Sequence, residues 1–148
     1  MATLHIHIII YAEPSLRPHE AHVVLSVYHP SSRKHYIYQA VEDVATESEM
    51  KFEREETEKN AQSSTAPHQE VPVPSSGVPL LPESKFDQLD ALLQTTPVPR
   101  PKPATWNCQS WLRQALQNME SAGLVPTGTA SDCCDRMMAE VNANTTPA

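Results

Sequence analysis

Apolar and polar residues alternate in short runs early in the chain and recur at helical spacing in its last half. Leu4–Tyr11 is β-branched and apolar with a partial period of two, which predicts a strand. His22–Tyr28 and His35–Val41 predict a second and a third. Between them, His29-Pro30-Ser31-Ser32-Arg33-Lys34 is polar and turn-forming, so these two should make an antiparallel hairpin. Glu13–Ala21 carries Pro14 and Pro18 and reads as a loop. Met50–Arg54 predicts one more short strand after an acidic connection.

The second half changes period. Ser84 is expected to cap a short amphipathic helix with Phe86, Leu89, Leu92 and Leu93 on its apolar face. Pro97–Pro103 is polyproline-like and reads as a stiff spacer between helices. The longest helical pattern follows, with Trp111, Leu112, Ala115, Leu116, Met119 and Ala122 on one side. Thr105 or Asn107 is its expected N-cap, Gly123 its left-handed C-cap, and Pro126 forbids resumption. Ser131 is expected to cap a last helix, Asp132–Val141, with Cys134, Met137, Met138 and Val141 inward and the tail Asn142–Ala148 frayed. Residues 54–83 are charged and then proline-rich, and read as a partly mobile surface excursion within a single domain, 1–148. An alternative is that Val71-Pro72-Val73 adds an edge strand, where proline is tolerated. The expected class is α+β, a small antiparallel sheet packed on a central helix with cysteine at its N-terminus.

Composition narrows the partners. The net charge is -7 without a basic patch, so neither nucleic acid nor an anionic membrane surface is expected. No run approaches the roughly 20 apolar residues of a membrane span. Leu4–Ile10 is short, is broken by two histidines and lacks a basic flank, so it does not read as a signal peptide. The three cysteines include no C-x-x-C pair and read as reduced thiols, which suggests a cytoplasmic protein. His5 and His7 project to one strand face, an arrangement that can ligate zinc, but spacing places no further ligand. Neither a metal nor another cofactor is expected, and the oligomeric state is left open.

The candidate chemistry centres on Trp106-Asn107-Cys108-Gln109-Ser110-Trp111. A cysteine in the first helical turn meets unpaired N–H groups and the positive end of the helix dipole, which favour a thiolate. The same groups can hold a developing oxyanion, with Asn107, Gln109 and Trp106 as site walls. The competing reading is a small, buried, inert side chain, the default also for Cys133 and Cys134. A nucleophile needs a base, and the base an orienting group. His29 lies in the hairpin turn and His68 in the proline-rich stretch, whereas His22 opens a strand directly after a loop. With the turn centred on Ser31-Ser32, Tyr28 pairs with His35, Val24 with Gln39 and His22 with Val41. Gln39 then lies diagonally across from His22, while His35 is about 20 Å away along the strand. A slip of the hairpin would reverse the choice between Gln39 and His35.

This order of elements resembles the NlpC/P60 superfamily in its circularly permuted form, including the lecithin:retinol acyltransferase-like and PPPDE-type papain-like proteins. Asn107-Cys108-Gln109-Ser110-Trp111 stands where the acyltransferase-like members have Asn-Cys-Glu-His-Phe. Trp106–Trp111, followed by a helix ending in Gly123-Leu124, also resembles a set of small fungal proteins with a Trp-Asn-Cys-Gln-x-Trp box. The resemblance covers residues 4–53 and 86–125. It implies a papain-like core with Cys108 as nucleophile, His22 as base and Gln39 as third group. Gln109 replaces an acidic residue of the box, and Gln39 stands where many relatives have histidine. The implied activity is a thiol hydrolase or acyltransferase acting through an acyl-enzyme on an amide, thioester or ester of a small molecule or peptide. The alternatives are a non-catalytic papain-like binding domain and a small biosynthetic cyclase or isomerase using the same cleft.

Overall fold

A computed structural model describes residues 2–46, 49–58, 66–74 and 78–147. Five strands come first: β1 (His5–Tyr11), β2 (His22–His29), β3 (Lys34–Glu42), β4 (Met50–Thr57) and β5 (Gln69–Val73). Three helices follow, α1 (Phe86–Gln94), α2 (Cys108–Ser121) and α3 (Thr129–Ala143). The strands form one antiparallel sheet in the order β4-β3-β2-β1-β5, so the class is α+β.

The hairpin register is the expected one, with Tyr28 opposite His35 and His29 opposite Lys34. The ladder between β2 and β3 ends, however, at Leu25 opposite Tyr38, so the expected pairs Val24–Gln39 and His22–Val41 are not rungs. β4 extends past the expected Arg54 to Thr57; it is an edge strand whose exposed glutamates discourage pairing with another chain. β5 takes the opposite edge, with Pro72 across from His7. Proline lacks a donor, and an edge demands none on its outer side. Parts of 54–83 are therefore sheet, while 59–65 and 75–77 lie outside the described residues.

Alternation along the strands divides the sheet into two faces. Ile6, Ile8, Ile10, Val23, Leu25, Val27, Tyr36 and Tyr38 share a core with Leu89, Leu93, Trp111, Leu112, Leu116 and Met137 of the helices. Ile9, Val24 and Ile37 form a second, smaller cluster on the other face, with Tyr11 packed against it. Asp90 of α1 ties that helix to the sheet, accepting from the Tyr38 hydroxyl at 2.6 Å and from Arg54 Nε at 2.7 Å. Burial, and then the bond to Asp90, push the Tyr38 hydroxyl well above the ordinary tyrosine range.

α2 ends as its sequence suggests. Gly123 is left-handed (φ 74), its N–H reaches the Glu120 carbonyl, and the Leu124 N–H reaches Met119. These two bonds make a Schellman motif. α3 starts at Thr129, two residues before the expected cap Ser131, because the Glu120 carboxylate accepts the Gly128 and Ala130 N–H groups, each at 2.9 Å. A side chain from the preceding helix therefore does the capping. α1 also lacks the expected Ser84 cap, and follows a 3-10 turn at Glu83–Lys85. The tail is held, not frayed. Thr146 donates its N–H to the Leu16 carbonyl at 2.9 Å and its hydroxyl to Pro14 at 2.5 Å, and Arg17 reaches the Pro147 carbonyl at 3.0 Å.

Replacing Glu120 with Ala should remove the α3 cap and cost about 1–2 kcal/mol, with Glu120→Gln losing less. Chemical denaturation of the three proteins checks this; equal midpoints would mean the carboxylate does not hold that helix start.

Candidate active site

The start of α2 is built by its own sequence. Asn107 is the N-cap, and its side-chain oxygen accepts from the Gln109 N–H at 3.0 Å and the Ser110 N–H at 3.3 Å. Ser110 Oγ returns the favour by accepting from the Asn107 N–H at 3.1 Å, a reciprocal capping box. Side chains then tie this turn to the loop feeding β2. Asn107 Nδ2 donates to the His19 carbonyl at 3.2 Å, and Gln109 Nε2 donates to Pro18 at 2.9 Å and Ala21 at 3.1 Å.

Cys108 lies beneath these bonds, 7% exposed. Its thiol donates to the Ala21 carbonyl at 3.7 Å. Burial pushes the thiol above its ordinary range, outweighing the N–H groups of Val23, Gln109 and Cys108 itself, which favour the anion. Ala21 and Val23 flank His22, so the sulfur lies against the β2 backbone just past the last rung to β3.

His22 leaves that backbone on the other side. Its register partner on β1 is Tyr11, which packs on the second cluster, and the two rings stack with centroids 6.3 Å apart. His22 Nε2 meets Gln39 Oε1 at 2.6 Å. An amide oxygen only accepts, so the ring donates through Nε2 in this contact. The structure thus brings His22 to Gln39 past the last rung of the β2–β3 ladder, and the Cys108 sulfur to the main chain on either side of His22. Ala21 and Val23 turn toward the helices, and the period of two puts the His22 side chain between them on the other face, with Tyr11.

The other candidates are dispersed. His35 sits at the far end of the hairpin, stacked on Tyr28 with centroids 4.5 Å apart. His5 packs on the other side of Tyr28, and His7 shares their face, where burial lowers its pKa. Among the described residues, no group of three or more His, Cys, Asp or Glu side chains is placed to hold a metal ion. Trp106 is half-buried against the core, and with Asn107 it borders two surface grooves. Cys133, buried in α3, donates to Pro72 of β5 at 3.7 Å, and burial pushes it up to about 11.

Two participants escape a reading of types and spacing. Tyr11 orients His22, and was findable by pairing β1 with β2. The Ala21 carbonyl is main chain, and no side-chain motif announces it.

Residues 6–126 match the model of a family of unknown function (DUF6540). The chain belongs to this family. The match runs from the second residue of β1 past the C-cap of α2, so the DUF6540 region contains all but one residue of the sheet and the Cys108 turn, and stops short of α3. No curated protein and no solved structure matches the chain.

Replacing Gln39 with Leu strands a half-buried ring donor and should cost about 1 kcal/mol. In a cycle with His22→Phe, the double variant should recover a similar amount relative to the sum of the singles. Strict additivity in urea denaturation would show that the 2.6 Å contact contributes nothing. A thiol pKa raised on folding adds stability that is full below the unfolded value, about 8.5, and lost as pH climbs through the folded value. Cys108→Ala should therefore lose less stability than the parent between pH 8 and pH 10, which paired urea midpoints would show.

Proposed function

We propose that the chain is a non-catalytic binding domain on a circularly permuted papain-like core, with Cys108 serving structure instead of nucleophilic attack. The permuted core is supported by the order of its parts: antiparallel strands first, a histidine opening β2, then a cysteine opening the helix against the sheet. The observation that carries the binding reading is the thiol's hydrogen bond to the Ala21 carbonyl at 3.7 Å. A donating thiol is a protonated one, and its burial favours that state. A nucleophilic cysteine needs the reverse: an ionised and accessible sulfur.

His22 and Gln39 then act as a clasp. Where the β2–β3 ladder stops, Cys108 and Gln109 fasten the β2 backbone from the helix face, while His22 and Gln39 bridge the two strands from the other. A thiol hydrolase is the second reading, favoured by the oriented His22–Gln39 pair and by three N–H groups converging on the sulfur. It requires the sulfur to release the Ala21 carbonyl and give its proton to the imidazole.

Alkylation separates the two. On the binding reading, native Cys108 reacts with iodoacetamide no faster than Cys133, and its rate keeps rising with pH beyond about 9. A fast phase assigned to Cys108 by its loss in Cys108→Ala, with a midpoint well below 8.5, would overturn this reading in favour of the enzyme.

A further inference from the structure

Trp106 and Asn107 form the common wall of two grooves. The first, about 520 Å³, runs along α2 past Arg113 and Gln117 to Met138 of α3. The second, about 500 Å³, lies on the other side of the indole among Glu42, Asp43, Glu49, Met50 and Lys102. Their charges are opposite in sign. No carboxylate lines the first, where Arg113 is the formal cation and also touches the Cys134 thiol. In the second, three carboxylates stand with one lining cation, Lys102. Asp43 is matched by Arg100 at 2.6 Å, the Lys102 main chain donates to Glu49, and Glu42 is left exposed on the rim.

We propose that this double groove binds an extended peptide segment of mixed charge, laid across Trp106 with a basic side chain over Glu42 and a carboxylate at Arg113. The proposal deepens the binding reading and rests on it. Length selects a peptide over a free amino acid. Arg113 stands six residues beyond Asn107 on α2, about 9 Å along the axis, and the acidic groove begins beyond Asn107. A single zwitterion is too short for that span, whereas an extended chain covers it in about three residues and places its charges about four apart. Chemistry agrees. The half-buried indole offers broad contact with few torsions to freeze, and the amides of Gln114 and Gln117 suit peptide N–H and C=O groups. With a net charge of -7, the acidic groove attracts a basic side chain, and Arg113 in the first groove rewards an acidic one.

The test uses the full chain and three capped peptides: Lys-Ala-Ala-Ala-Glu, its reverse, and Gln-Ala-Ala-Ala-Gln. Trp111 is 1% exposed, so a shift in indole emission on titration reports Trp106. The better charged peptide should bind about tenfold tighter than the glutamine one, and Arg113→Gln and Glu42→Gln should each remove most of that advantage. Thermal melts of both variants verify the fold. Equal binding of the glutamine peptide, a charge advantage that survives both substitutions, or no emission change with any peptide would overturn the proposal. These outcomes leave the binding reading standing if Cys108 alkylates slowly; rapid alkylation of Cys108 sinks that reading whatever the peptides do.

Discussion

The Ala21 carbonyl is the junction on which the arrangement turns. It accepts from both Cys108 Sγ and Gln109 Nε2, and it sits where the β1–β2 loop becomes a central strand. A main-chain acceptor buried at the end of a ladder must find donors or lose more than an ordinary hydrogen bond contributes. Two consecutive side chains of one helical turn supply them. The same turn is fixed by Asn107 and Ser110 capping one another, so the donors arrive preoriented. Helix, loop and strand are thus joined at one oxygen, and the sulfur's chemistry follows from its position there.

Much of this was legible in the chain. Periodicity located all three helices and the first three strands, because each buries one face and so repeats at its own spacing. The diagonal between His22 and Gln39 followed from the turn alone, and the two side chains do meet, although the ladder itself stops short of them. What composition could not reveal is how deeply each side chain is buried. Both readings of Cys108, a thiolate held by the helix dipole and a buried inert thiol, are open in the sequence, and burial is the larger influence on that thiol. Likewise, Ser131 looked like a cap by type, whereas Glu120, eight residues before Gly128, holds the α3 start from the neighbouring helix. Tertiary partners of this kind leave no local signature.

The two sheet faces divide the labour. One is a continuous aliphatic and aromatic core under three helices. Among the described residues, the other carries a small cluster of three buried aliphatics, bordered by Tyr11 with His22 at one end and Tyr28 between His5 and His35 at the other. Imidazoles tolerate that setting because a ring can lie flat on a neighbour while its nitrogens reach outward. A histidine-rich sequence need not therefore imply a histidine-based centre.

The loop from Pro14 to Ala21 is gripped at both ends. Thr146 and Pro147 hold its first half, and the α2 start holds its second. A segment so bound gains little independent motion, and release of either grip loosens the backbone that the other depends on. The last few residues of the chain thereby act as a remote brace for the entrance to β2, and amide exchange in that loop should report the integrity of the C-terminus as directly as that of the helix.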